Sequence, residues 1–440
     1  MTLLALAVAS VTLTVPGPAA ARSVPPPPDA SPVMDPKRTV DYWTKSKQSE
    51  ADAPEHTSGG AERRLTVPEG SRLTPDGDAN GYGRMPRPYS AAAASRITGR
   101  LFFVDADGGR RSCSGSVVRS AGGLLVATAA HCVYGVSRQT GQGTWSSNIA
   151  FVPAYDGHGQ SANETAPYGV WGARRAWKPQ PFTGAQPWNW DSVYDLALVE
   201  VGRSGGATLQ DTVGAFTPMR NQGGDYTITS LGYPSDLPYD GTRQLWCLGR
   251  TTVAPGYAQP AGQTAGRLHT VNCHLFGGNS GGPWLDRSSG MLVGVLSSGA
   301  ENASPDGYTV ANPLGPGSYG ALVRQADPGG VYDSLSVKGA GSARRLTATV
   351  RMRGLMAAAR VPVTFGLPRG VRPAPGTPCA VVRRKVTCTI AVVAPGRPER
   401  VSIPIRGAAA RARFTVSVAA TFLDPDPRDN THAFSTAPGR

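Results

Sequence analysis

The sequence contains no apolar run long enough to cross a bilayer. Its apolar start, Thr2 to Val15, falls short of the roughly 20 residues a spanning helix needs. It ends in Pro16-Gly17-Pro18-Ala19-Ala20-Ala21. A short apolar start closed by small residues reads as a secretory signal, residues 1–21, although no Lys or Arg stands near Met1. No transmembrane segment is expected once that signal is removed. Histidine is scarce, with six in 440 residues, and the region of His158 has no metal-ligand spacing. No metal or organic cofactor is expected, and His56 and His158 read as solvated loop residues. From Arg22 to about Ser95 the chain lacks periodicity and large apolar side chains, so residues 22–95 read as a disordered pro-segment or linker. Acidic residues are nearly missing from the far end: from Lys338 to Arg440 there are 18 Lys+Arg against 4 Asp+Glu, out of 44 and 30 in the whole chain. The formal charge of +14 therefore resides there, and the step in charge marks a domain boundary.

Glycine and proline are plentiful, 55 and 39 residues, which favours short strands with many turns and an all-β fold over helix bundles. Ordered chain is expected from Ile97. Leu101 to Val104 and Ser112 to Val118 read as strands joined through Asp107-Gly108-Gly109, and Ala121-Gly122-Gly123 turns the chain into Leu124 to Ala127. Tyr226–Leu231, Gln244–Leu248, Arg267–Cys273 and Met291–Leu296 supply further strands. Between Val133 and Trp190 the pattern is loop-like, and Trp145, Trp171, Trp177, Trp188 and Trp190 read as core or rim packing. Six cysteines form an even set, and export permits disulfides.

The chemistry gathers around Cys273-His274-Leu275-Phe276-Gly277-Gly278-Asn279-Ser280-Gly281-Gly282-Pro283. A serine flanked by glycines exposes its hydroxyl and lets a substrate carbonyl approach the backbone, where the N–H groups of Gly278 and Ser280 are placed to hold a developing oxyanion. A hydroxyl is a weak nucleophile at neutral pH and needs an imidazole to take its proton, with a carboxylate to orient that imidazole. Thr128-Ala129-Ala130-His131-Cys132 supplies the base. Asp195, ahead of Leu196-Ala197-Leu198-Val199, supplies the carboxylate, with Asp191 as its competitor.

TAAHC, DLALV and GNSGGP, in the order His, Asp, Ser, resemble the trypsin/chymotrypsin-like serine peptidases from about Ile97 to Asp333. The run after Asp195 matches the family pattern and favours it over Asp191. The resemblance implies two packed six-stranded antiparallel barrels with the site in their cleft, and a peptidase domain over residues 96–336. It also implies a Cys113–Cys132 bond clamping the backbone of His131, worth roughly 3 kcal/mol in the chain-entropy model. Cys247 and Cys273 are the natural second pair. Six residues before the nucleophile, at the base of the family's specificity pocket, stands His274 instead of an aspartate, so no Lys or Arg preference is implied. GNSGGP is similar to the glutamyl-endopeptidase branch, but Leu296 occupies the place of that branch's pocket histidine. His274, Leu296 and Ser298 remain the candidate pocket residues, with His269 as another histidine nearby. The trypsin branch carries an aspartate before the nucleophile that pairs with a freed amino terminus. Asn279 has no charge for that, so the oxyanion loop is expected to be held by local hydrogen bonds from Asn279 to backbone.

After about residue 340 the pattern changes. Leu346, Ala348, Val350 and Met352 alternate with polar residues, as do Val401-Ile403-Ile405 and Phe414-Val416-Val418, the period of half-buried strands. A two-residue turn at Arg383-Arg384 places Cys379 opposite Cys388 as a cross-strand disulfide. Phe422-Leu423-Asp424-Pro425-Asp426-Pro427-Arg428-Asp429-Asn430 resembles Ig-like repeats of bacterial surface proteins, implying a β-sandwich over residues 340–436. The expectation is a secreted, extracellular or surface-associated serine endopeptidase acting on proteins or peptides, with His131, Asp195 and Ser280 as catalytic residues. Its basic tail is suited to an anionic wall or matrix polymer, and no nucleic acid is expected. The alternative is a catalytically silent secreted binding or adhesion protein on the same fold.

Overall fold

A computed structural model describes residues 28–51, 66–184, 193–221, 223–253, 268–299, 309–409, 411–419 and 424–436. The expected signal, His56, Trp188, Trp190 and Asp191 lie outside the described residues.

Thr98–Val104 (β1), Arg110–Val117 (β2), Leu125–Thr128 (β3), Ser147–Pro153 (β4), Trp171–Lys178 (β5) and Ala197–Val201 (β6) form the first barrel. They pair antiparallel in the ring β1-β2-β3-β6-β5-β4 and back to β1, a closed barrel that leaves no edge exposed. The β1–β2 turn is set by Asp105, whose carboxylate accepts the amides of Asp107 and Gly109 at 3.0 and 2.7 Å. Inward-facing Leu101, Phe103, Val126, Phe151 and Leu198 fill the interior, joined by Trp171 and Trp177.

Thr227–Gly232 (β7), Leu245–Arg250 (β8), Leu268–Thr270 (β9), Pro283–Asp286 (β10), Leu292–Gly299 (β11) and Thr309–Pro313 (β12) form the second sheet. Its order is β8-β7-β10-β11-β12-β9, the same winding as the first. Among the described residues the ring does not close along β8 and β9. Their link is a short pairing of Thr252–Val253 with His269 and Leu268, so this is a half-barrel where a closed one was expected. Leu231, Leu285, Leu292 and Val295 from it share one buried cluster with the first barrel.

The segment expected to lack order instead packs on the barrels. Asp29–Ala30 pairs with the end of β5. Helix Pro36–Tyr42 follows, capped by the Asp35 side chain. Trp43 is buried with its ring 5.3 Å from Phe102, and Tyr82–Arg84 adds to the edge of β8. These residues are too sparse to form a core alone. Trp43, Val67, Tyr82 and Tyr89 are each buried nonetheless, because the barrels supply the opposing surface.

Leu335–Gly341 (β13), Arg345–Met352 (β14), Ala357–Gly366 (β15), Lys385–Val393 (β16), Glu399–Arg406 (β17), Arg413–Val418 (β18) and Thr431–Ser435 (β19) build the tail. β13, β14 and β17 make one antiparallel sheet, and β16, β15, β18 and β19 another. Both contribute to a single core, with Leu346, Val350 and Ile403 from the first and Val363, Phe365 and Phe414 from the second. The alternation read along β14 is the observed burial pattern. The expected boundary at 336–340 falls inside β13, so the tail begins earlier than charge indicated.

Among the described residues, tail and barrels pack directly against each other. Met219–Arg220 pairs in parallel with Ala357–Ala358, and Met219, Trp284, Leu296, Ala357 and Ala394 form one buried cluster. Arg220 pairs with Asp333 at 2.5 Å. Three disulfides are present, Cys113–Cys132, Cys247–Cys273 and Cys379–Cys388. The last arises as the arithmetic required: Val382 pairs with Lys385 and Ala380 with Thr387 across the Arg383-Arg384 turn. Arg383 adopts φ 54° there, supplying the left-handed geometry for which Arg-Arg has little propensity.

Candidate active site

His131 sits in the single turn Ala130–Cys132 that follows β3, and Asp195 stands just before β6. Because β3 and β6 are paired neighbours, their ends bring the two side chains together. Asp195 Oδ2 lies 2.8 Å from His131 Nδ1, and Oδ1 accepts the His131 backbone N–H at 2.9 Å. Ser297 on β11 donates to Oδ2 at 2.6 Å, and Asn312 on β12 donates to the Asp195 carbonyl at 2.8 Å. Asp195 is fully buried. Burial alone pushes its carboxyl upward; the His131 charge and the hydrogen bonds from His131 and Ser297 outweigh that and hold it below the ordinary carboxylate range. An ionised carboxylate at Nδ1 fixes the tautomer in which Nε2 carries the lone pair.

Ser280 is brought to the same place from the other sheet. Its carbonyl accepts the Ser114 amide at 2.8 Å and lies 3.9 Å from Cys132 Sγ. Gly281 has φ 82°, and an added Cβ there would fall 2.2 Å from Thr128 Oγ1, so only glycine lets the loop sit against the histidine turn. Ser280 Oγ makes no hydrogen bond among the described residues.

The loop's backbone is almost fully committed. Gly277 N–H goes to Asp236 Oδ2 at 2.7 Å. Asn279, Gly281 and Gly282 N–H groups go to the carbonyls of Phe276, Leu296 and Asn279 at 3.2, 2.7 and 2.9 Å. Among the described residues, the amides of Gly278 and Ser280 are the two in this run without an acceptor. Gly278 holds φ 89°, and a Cβ there would fall 2.5 Å from the Tyr233 carbonyl. Ser114 clamps this geometry from the first barrel: its hydroxyl donates to the Gly278 carbonyl and accepts the Tyr233 amide, each at 2.8 Å.

The expected backbone bond of Asn279 is not what forms. Its Nδ2 donates instead to the Tyr82 hydroxyl at 2.8 Å, because the loop's nearby carbonyls already have donors and the upstream segment lies within reach. Among the pocket candidates, His274 is half-buried with its ring 5.1 Å from Phe276, and burial pushes its imidazole down, as it does that of His269. Leu296 and Ser298 are buried, and residues 300–308 beside them lie outside the described residues. The sulfurs of Cys113 and Cys132 lie near His131, but they are bonded to each other and offer no thiolate to a metal. Ser114, Ser297, Asn312 and Tyr82 were not singled out in the sequence. Ser297 had no periodic signal: it is the extra residue where the β11–β12 register shifts between Leu296 and Ser298.

Residues 113–295 match the family model described as a trypsin-like peptidase domain. Comparison with curated proteins gives no match. Similar solved structures include protease Anisep from Arthrobacter nicotinovorans, 28% identical over 54% of this chain and 98% of that one, with TM-score 0.44. Others are the thermostable serine protease AL20 from an extremophilic microorganism (27% identity, 52% and 97% covered, TM-score 0.42) and a Glu endopeptidase in complex with MPD (18%, 56% and 96%, TM-score 0.41). The family match runs from the cysteine before the histidine turn past Ser280 into β11, so this stretch is similar to trypsin-like peptidase domains and supports a serine peptidase of chymotrypsin-like fold.

Proposed function

We propose that the chain is a secreted endopeptidase that cleaves peptide bonds through an acyl-enzyme on Ser280. Ser280 Oγ attacks the substrate carbonyl carbon and its proton passes to His131 Nε2. The carbonyl oxygen, now an alkoxide, is held by the Gly278 and Ser280 amides. The C–N bond breaks as Nε2 returns the proton to the leaving amine, leaving an ester. Water, deprotonated by the same nitrogen, then hydrolyses that ester and restores Ser280. Asp195 stays ionised throughout and balances the imidazolium. The observation that carries this reading is the buried Asp195 carboxylate taking both the backbone N–H and Nδ1 of His131. The test is labelling with a serine-directed phosphonate and turnover of a peptide library. Ser280→Ala and His131→Ala should each lower kcat by about six orders of magnitude with little further loss in the double variant. Additive losses would refute a shared mechanism.

A second reading, a secreted binding protein without turnover, draws on the complete burial of Ser280; an unlabelled wild type would favour it. The apolar start and the three disulfides support export. We read the tail as an Ig-like sandwich whose excess of 18 basic over 4 acidic residues draws it to anionic wall or matrix polymer. That attraction should weaken steeply with salt, since exposed charges are screened within about 10 Å at 0.1 M; salt-independent binding would refute it.

A further inference from the structure

We infer that Tyr82, on the segment ahead of the barrels, is a positioning residue for the oxyanion loop, and that residues 71–85 belong to the active enzyme. The inference rests on the peptidase reading above. Asn279 lies between the two amides that have no acceptor among the described residues, and its side chain is tied to the Tyr82 hydroxyl at 2.8 Å. Both side chains are buried. Burial first, then the charge of Asp78, push the Tyr82 phenol upward, so the hydroxyl stays neutral over the working pH range.

The segment that carries Tyr82 is itself braced against the chain leading into the loop. Tyr82 pairs with Cys247 on β8, and Cys247 is bonded to Cys273. The His274 amide donates to the Asn80 carbonyl at 3.1 Å. Asn272 Nδ2 donates to the Ser71 carbonyl at 2.8 Å. Thr74 takes the Leu248 amide at 2.9 Å while donating to the Gly81 carbonyl at 2.6 Å. Asp78 gathers the amides of Asn80 and Tyr82 and the Tyr239 hydroxyl, at 2.9, 3.0 and 2.6 Å. Gly81 leaves no slack, because a Cβ there would fall 2.3 Å from the Asn272 carbonyl. The segment therefore behaves as a strut: it fixes the Asn272–His274 stretch and reaches across it to pin Asn279. A neutral phenol from an upstream strand thus holds the residue that, in the trypsin branch, pairs with a new amino terminus.

The experiment compares full-length wild type with Tyr82→Phe, and with a chain beginning at Ser90, using a peptide substrate and a peptide boronate that places an oxygen in the oxyanion site. Leaving the Asn279 amide buried without its partner is worth about a factor of ten. Tyr82→Phe should therefore lower kcat about tenfold with KM within twofold. It should weaken the boronate by a similar factor, and leave the affinity of a product peptide unchanged. The chain from Ser90 should lose at least as much, and the amino terminus of active enzyme should map before Ser71. A Tyr82→Phe variant with unchanged kcat, or with reduced kcat but full boronate affinity, overturns the inference. So does fully active enzyme that begins after Tyr82. If wild type takes no phosphonate and cleaves nothing, the peptidase reading fails and the inference with it. That outcome is distinct from a labelled wild type whose variant is unimpaired.

Discussion

Ser297→Ala tests how the buried carboxylate is kept charged. The Ser297 hydroxyl donates to Asp195 Oδ2 at 2.6 Å, and both groups are buried. Removing one hydroxyl oxygen leaves too little space for the cavity term to matter, so the lost charge-assisted hydrogen bond dominates, at about 1.5–3 kcal/mol. That is a large part of the roughly 5–15 kcal/mol that holds a typical domain folded. The pH dependence has a defined sign. The Asp195 carboxyl is held below its ordinary value in the folded protein. Its contribution is therefore present above the unfolded value of about 3.9 and is lost as pH falls through the folded one. Ser297 donates to the ionised form, so the stability gap between wild type and Ser297→Ala should be full at pH 7 and shrink only as pH falls through the lowered folded value. Urea titrations at several pH values measure this directly. The gap should also largely vanish in an Asp195→Asn background, since the two side chains act on one interaction. A gap below about 0.5 kcal/mol at pH 7, or one that persists undiminished in the Asp195→Asn background, would refute the reasoning.

Asp195→Asn should lower kcat by about four orders of magnitude with the fold retained, the size seen when the carboxylate of a Ser-His-Asp set is neutralised; steady-state kinetics with circular dichroism checks both halves. Gly278→Ala should lower kcat at least a hundredfold, because φ 89° and a Cβ contact of 2.3 Å with Ser235 Oγ force the Gly278 amide out of place; a variant within tenfold of wild type would remove that amide from the mechanism. Arg220→Ala strips the cation from the fully buried Asp333, 2.5 Å away, and should cost about 3–5 kcal/mol in thermal or urea unfolding.

How far the sequence was legible depended on the range of the interaction. The β2–β3 turn at Gly122-Gly123, the alternation along β14 and the Cys379–Cys388 pairing are local, and each was readable from residue type and period. Motif chemistry reached further: His131, Asp195 and Ser280 were placed by their immediate neighbours, and the structure brings the first two into contact. What stayed hidden was long-range. Ser297 meets Asp195 across 102 positions and Asn279 meets Tyr82 across 197, and a lone Ser or Tyr carries no periodic signal. The upstream segment departs from its expected disorder for a related reason. Its composition said correctly that it has too few apolar residues to fold by itself. It did not say that the barrels offer a surface on which Trp43 and Tyr89 become buried.

The cluster shared by Met219, Trp284, Leu296, Ala357 and Ala394 joins tail and barrels through a common buried core. Trp284 follows Ser280 by four positions and is completely buried there. The tail cannot lift away without wetting the strand that leads out of the Ser280 loop. A protein-degrading enzyme is exposed above all to its own kind, and a hinged appendage offers the fleeting local openings that proteolysis exploits. Here that escape is closed. Among the described residues, the join between tail and barrels is packed core and offers no such opening of its own.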